Sequence, residues 1–283
     1  MINLKQNNQL RTRVRNYDYD KQTLVMGILN ITPDSFSDGG NYDELEAAVH
    51  QAKQMEADGA HLIDIGGEST RPGHTPVSEE EELRRILPVI QALHSEISIP
   101  ISVDTYKAEV ARQAIEAGAS IINDVWGAKK EPNIAEVAAE LNVPIILMHN
   151  QSERSYVNLI DDMLKGLQES VAIALKAGVK EENIVLDPGV GFAKTAEDNI
   201  QVMRNLEAFT TLPYPVLLGT SRKSFIGKVL DTPVEERIEG TGATVCLGVQ
   251  KGVNIVRVHD VKPIARMTKM MDKMIGKGES DNG

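Results

Sequence analysis

The chain has 283 residues, 41% hydrophobic and 25% charged, and a formal net charge of −11 at pH 7 from 30 Lys and Arg against 41 Asp and Glu. That length buries a full-sized core, and the charge argues against wrapping nucleic acid or an anionic membrane surface. The single cysteine, Cys246, excludes an internal disulfide and a cysteine zinc cluster, which predicts a reducing, cytoplasmic setting.

Residues 1–16 are polar and lack the apolar core of an export signal, and no apolar run approaches the roughly 20 residues that span a bilayer. Within an N-terminal extension over 1–22, residues 12–22 predict a small hairpin. Short apolar, β-branched runs then recur at 24–31, 61–65, 101–104, 120–125, 144–148, 183–186, 215–218 and 254–258. Segments of helical spacing lie between and after them, at 43–58, 77–95, 107–117, 133–141, 159–177, 196–207, 234–251 and 263–275. Near-continuous apolar strands alternating with helices predict a parallel sheet buried on both faces. Eight such units over 23–276 predict a single-domain α/β fold, the (β/α)8 TIM barrel, with 277–283 as a frayed tail. An open doubly wound sheet is the rival, but no Gly-x-Gly-x-x-Gly turn follows the first strand.

In such a barrel chemistry gathers where strands end, and here every strand ends on something polar. The first runs from Asn30 into TPDSFSDGG (32–40), the second from Asp64 into GGESTRPG (66–73). The third ends in Asp104, the fourth in Asn123-Asp124 and the fifth in Met148-His149-Asn150. The sixth gives DPGVGFAK (187–194), the seventh GTSRKS (219–224) and the eighth RVHD (257–260).

Five of these stretches, MGILNITPDSFSDGG (26–40), DIGGESTRPG (64–73), DPGVGF (187–192), GTSRKS (219–224) and RVHD (257–260), resemble the dihydropteroate synthase family. The resemblance runs from about Thr23 to Met274. It implies condensation of dihydropterin pyrophosphate with p-aminobenzoate, releasing pyrophosphate, with Mg2+ as the cofactor. It further implies a pterin pocket of Asp104, Asn123, Asp187, Met148, Phe192, Gly219 and Lys223, with Lys223, Arg257, His259 and Asp38 as the catalytic group. Pyrophosphate would meet Asn30, Arg71, Arg257 and His259, with Asn30 as the one direct metal ligand. The p-aminobenzoate pocket would take Phe36, Thr70, Arg71, Pro72, Phe192 and Ser224.

The residue types suit those roles. A pterin's N–H donors match the carboxylates of Asp104 and Asp187 and its acceptors match the Asn123 amide, while unpaired buried acids make poor structural elements. Asp64 and Asp124 fit loop-tying as well as function. Lys223, Arg257, His259 and Arg71 form the local positive patch that an acidic protein needs for an anion, and Arg offers phosphate a planar fork of donors. His259, two residues after Arg257, projects to the same side of its strand. Arg222 reads as structural, and His50, His61, His74 and His94 as solvated or packing residues. Substitution at the pterin methylene needs no nucleophilic side chain, and no Ser-His-Asp or Cys-His arrangement is evident. The loops 32–40 and 67–75 predict an aromatic slot that forms only after the pyrophosphate substrate is bound. Met267, Met270, Met271 and Met274 form a stripe on the last helix. With the small residues Gly240, Gly242, Ala243 and Gly248 on the helix before, it predicts a homodimer through the last two helices. A pterin-binding methyltransferase module and a catalytically silent pterin-binding paralogue are the alternatives. The first has no use for the anion patch of Lys223, Arg257 and His259, and the second would show eroded loop motifs.

Overall fold

The computed structural model describes residues 8–31, 41–68 and 76–278. Strands β1 (Gln9–Arg11) and β2 (Asn16–Asp18) pair antiparallel with Leu10 opposite Tyr17. The hairpin therefore starts before Thr12, whose hydroxyl occupies the turn by accepting from Arg15 N at 2.9 Å and donating to Arg15 O at 2.6 Å.

The chain continues as β3 (Leu24–Asn30), α1 (Asn41–Ala57), β4 (Leu62–Gly66), α2 (Glu79–Glu96), β5 (Ile101–Asp104), α3 (Ala108–Glu116), β6 (Ile121–Asp124), α4 (Asn133–Leu141), β7 (Ile145–Met148) and α5 (Leu159–Lys176). Then come β8 (Ile184–Asp187), α6 (Ala196–Arg204), α7 (Glu207–Thr210), β9 (Leu217–Leu218), α8 (Ser224–Leu230), α9 (Ile238–Gln250), β10 (Ile255–Val258) and α10 (Val261–Met274). The eight strands β3 to β10 are parallel, in the order β8-β7-β6-β5-β4-β3-β10-β9. A single parallel bridge between Leu186 and Val216 joins the two ends. This is the expected (β/α)8 barrel, closed most thinly between β8 and β9.

Three boundaries differ from the sequence reading. The helix expected over 196–207 breaks at Asn205, whose Nδ2 donates to Gln201 O at 2.8 Å, and resumes as α7. The one expected over 234–251 begins as a 3-10 turn, Val234–Glu236, before α9. The short α8 was not anticipated, because its seven residues are too few to display a period. Nor is the tail frayed from its first residue: Lys277 N donates to Asp272 O, and Gly278 N to Asp20 O at 3.0 Å.

Side-chain alternation divides the strands into two faces. Val25, Ile63, Ile122, Ile145, Leu147, Leu186 and Val256 pack outward against the helices. Leu24, Met26, Leu62, Ile121, Ile146, Val185, Leu217 and Ile255 form a separate cluster with Leu10, Tyr17 and Tyr19 of the hairpin. The hairpin thus closes the N-terminal end of the barrel over an apolar floor. Tyr17 Oη adds a hydrogen bond to His61 O at 2.7 Å, and His61 Nδ1 accepts from Val25 N at 3.0 Å, so His61 is a packing residue. Two residues up each strand the same inward register continues as Asp64, Asn123, Met148, Asp187, Gly219 and Arg257. Among the described residues no helix is long and apolar enough to cross a membrane.

Candidate active site

The register that buries Leu62 and Ile255 in the floor brings Asp64 and Arg257 to the mouth above it. Arg257 Nε donates to Asp64 Oδ2 at 2.6 Å and its Nη2 to Asp104 Oδ2 at 2.7 Å. Asp64 Oδ2 also accepts from Asn123 Nδ2 at 3.0 Å. Two carboxylates thus orient Arg257, as a guanidinium beside buried acids requires, and its remaining N–H groups are left for a ligand. Asn123 commits one of its two amide N–H groups to Asp64. A carboxylate can only accept, so Asp64 draws Nδ2 toward itself and leaves the amide oxygen and the second N–H unspent on it.

Among the described residues Asp104 and Asp64 each keep a buried oxygen, Oδ1, without a partner. Such atoms are costly unless a donor reaches them, and a ligand edge carrying N–H groups supplies one. Asp187 accepts Gly189 N at 2.7 Å through Oδ1. Burial raises its carboxyl to about 6, and raises that of Asp104 as well while Arg257 pulls the latter back. Asp124, one residue out of the inward register, points elsewhere: its oxygens accept Trp126 N and Ala128 N at 2.8 and 2.6 Å. Its role is to tie the loop.

Lys223 extends over Phe192, with Nζ 4.1 Å from the ring centroid, and burial lowers its ammonium to about 8. Gly191, at φ +90°, makes this possible, since a Cβ there would stand 2.8 Å from Lys223 Cδ. Lys194, two residues beyond the DPGVGF motif, staples the same loop. Its Nζ donates to Gly189 O and Phe192 O at 3.0 Å each and lies 3.3 Å from His149 Nδ1. Burial lowers the Lys194 ammonium to about 7.

His259 lies 2.9 Å through Nδ1 from Ser221 Oγ, and beside it Arg222 forms a two-pronged pair with Asp260 at 2.9 and 2.6 Å. Arg222 is structural, as its type predicted. Met148 is buried at the wall and Asn30 is half-buried at the end of β3. Gly219 lies at the end of β9, and Ser224, exposed, opens α8. Phe36, Asp38, Thr70, Arg71, Pro72 and His74 lie outside the described residues.

Lys107, not anticipated, sits at 6% exposure between Glu68 and Glu82, donating to Glu68 Oε2 at 2.6 Å and to Glu82 Oε2. Glu68 Oε2 also accepts Val77 N at 3.3 Å. This buried cluster joins the segment after β4 to the segment after β5. No local pattern announces it, since its members are 14 to 39 residues apart in the chain.

Among the described residues no three His, Cys, Asp or Glu side chains are grouped to hold a metal. Asn30, the neutral amide that the resemblance assigns to the metal, ends β3. Such a donor set fits a hard cation that keeps most of its waters and takes phosphate oxygens from a substrate.

A family model described as pterin binding enzyme matches residues 26–259. The dihydropteroate synthase of Bacillus subtilis is 64% identical over 280 residues, covering 99% of this chain and 98% of that protein. Two Xanthomonas albilineans dihydropteroate synthase structures also match. One, with 4-aminobenzoic acid, has a TM-score of 0.90 and 40% identity, covering 95% of this chain and 98% of that one. The other, with 7,8-dihydropteroate, has a TM-score of 0.87 and 38% identity, covering 94% and 98%. With that identity over nearly its whole length, and with inward carboxylates, an amide and lysine at the barrel mouth, the chain belongs to the pterin-binding enzymes, within the dihydropteroate synthases.

Proposed function

We propose that this chain condenses 6-hydroxymethyl-7,8-dihydropterin pyrophosphate with p-aminobenzoate to give 7,8-dihydropteroate and pyrophosphate. The observation that carries the reading is the ring of inward groups at the barrel mouth. Asp104 Oδ1, unpartnered among the described residues, the Asn123 amide oxygen and the Asp187 carboxylate are acceptors for a heterocycle's N–H edge. Lys223, Arg257 and His259 stand beside them as donors for an anion.

Asp104, Asn123 and Asp187 hold the pterin ring, with Met148 as an apolar wall and Lys223 over Phe192 beside it. The bond between the pterin methylene and the pyrophosphate oxygen breaks with its electron pair leaving on pyrophosphate, and the conjugated ring spreads the positive charge left behind. Arg257, already oriented by two carboxylates, and His259 receive the leaving oxygens; preorganised donors of this kind lower a barrier because they need not reorient. The arylamine nitrogen then attacks the methylene, a C–N bond forms, and the amine proton departs. When bound, Mg2+ would neutralise charge on the pyrophosphate, held by Asn30 among the described residues. Phe192 and Ser224, with Phe36, Thr70, Arg71 and Pro72, make up the p-aminobenzoate pocket in this reading, Asp38 joins the catalytic group, and sulfonamides compete there.

The same reading takes the protein to the cytoplasm, consistent with its one free cysteine, and to a homodimer. The dimer rests on α10, where Met270 and Met274, with Ile275 just after the helix, are exposed while Met267 and Met271 pack inward. The small residues of α9 serve packing within the chain: a Cβ on Gly242 would lie 2.6 Å from Met267 Sδ and one on Gly240 2.3 Å from Ile226.

The test is release of pyrophosphate on mixing the two substrates with Mg2+. Release that requires p-aminobenzoate supports the reading, and pterin binding without release would make the chain a silent binder.

A further inference from the structure

Ser221 follows β9 and His259 follows β10, and the two make a double contact. The backbone N–H of His259 donates to Ser221 Oγ at 3.1 Å, and the same oxygen lies 2.9 Å from His259 Nδ1. Ser221 is buried, and its hydroxyl has no further partner among the described residues. The oxygen already accepts from the backbone. If Nδ1 also carried a proton, the serine hydrogen would be buried with nothing to receive it, a cost comparable to a lost hydrogen bond. The arrangement that satisfies every group has the hydroxyl donating to an unprotonated Nδ1, and a neutral imidazole then bears its one proton on Nε2.

We propose that Ser221 is a positioning residue that holds His259 as the Nε2–H tautomer, so that the imidazole offers the leaving pyrophosphate one directed N–H and cannot accept the arylamine proton. The part that concerns pyrophosphate rests on the proposed function; the tautomer does not. Both ring nitrogens are then committed. The proton lost in the condensation then goes to an acceptor other than His259, such as water or the departing pyrophosphate.

The surroundings agree. Burial lowers the His259 imidazole to about 4, and Arg257, Arg222 and Lys223 push in the same direction, against Asp260 alone. A further cation in a site that already holds Arg257 and Lys223 would be repelled. Arg222 and Asp260, the next residues of the two segments, pair with each other and latch the two strand ends together, which keeps Ser221 and His259 in register.

The experiment is nitrogen-15 correlation spectroscopy of the histidine rings in the full-length protein at pH 7, with His259 assigned by the signal lost in His259→Asn. The expected spectrum is that of a neutral ring protonated on Nε2. An imidazolium, or a ring protonated on Nδ1, would overturn the proposal. Ser221→Ala should give a mixture of tautomers and about tenfold weaker binding of inorganic pyrophosphate, the loss of one oriented hydrogen bond. Ser221→Thr, which keeps the hydroxyl, should restore both. An unchanged His259 spectrum in Ser221→Ala would also overturn it. A pinned tautomer in a protein that releases no pyrophosphate from the two substrates would instead refute the proposed function and leave the role of Ser221 standing.

Discussion

Arg257 on β10 and Asp64 on β4 meet inside the barrel across the intervening strand β3, Nε to Oδ2 at 2.6 Å, and the same oxygen receives the amide of Asn123 at 3.0 Å. One carboxylate therefore orients a cation and an amide that stand on different strands. Removing it leaves a largely buried guanidinium short of a partner, which costs about 3 kcal/mol by the behaviour of broken buried pairs. Asp64→Ala should lower the unfolding free energy in urea by that amount and weaken calorimetrically measured pterin binding, since Asn123 is freed to turn its amide. Unaltered stability together with unaltered pterin affinity would show that the pair is incidental.

The approach of Lys223 to Phe192 depends on the absence of a side chain at Gly191. At φ +90° with Lys223 Cδ 2.8 Å from the position of a Cβ, Gly191→Ala meets both backbone strain of about 1–3 kcal/mol and a collision with the lysine stem. The variant should stay folded by circular dichroism but bind pterin about tenfold more weakly, a displacement worth about 1.4 kcal/mol. Wild-type affinity would mean that Lys223 can reach the ligand by another path.

Lys194 and Lys223 release their protons more readily in the fold than when unfolded, because burial penalises the ammonium: about 7 and about 8 against 10.5. Between those values and 10.5 the unfolded chain binds more protons, so their contribution to stability grows as pH rises and fades as pH falls back toward 7. Each proton contributes at most about 1.4 kcal/mol per pH unit. Urea unfolding from pH 7.5 to 9.5 should therefore show a less positive slope in Lys194→Met than in the wild type. Equal slopes would place the Lys194 ammonium in an ordinary, hydrated setting.

Much of this was legible in the amino-acid sequence because it is periodic. Apolar runs alternating with helical spacing predicted eight β/α units, and polar residues at strand ends marked Asp104, Asn123, Asp187, Lys223, Arg257 and His259. The sequence leaves Asp64 open between loop-tying and function; its inward direction follows once the structure places Leu62, two residues earlier, in the floor, because alternate strand residues share a face. Asp124, next to Asn123, turns away by the same rule.

What no local pattern carries is partnership. Arg257 is 193 residues from Asp64 and 153 from Asp104, and only closure of the barrel decides that this cation reaches both acids. The Lys107, Glu68 and Glu82 cluster, the staple from Lys194 to the carbonyls of Gly189 and Phe192, and the contact of Ser221 with His259 arise in the same way. The sequence by itself determined the strands, the helices and which chemical groups stand at the rim, because these follow from spacing along one chain. The tertiary structure decided which of those groups are already paired, which keep an oxygen open for a ligand and which way an amide or imidazole faces. Those depend on distances between strands and on burial, where an unpaired charge costs several kcal/mol and a paired one does not.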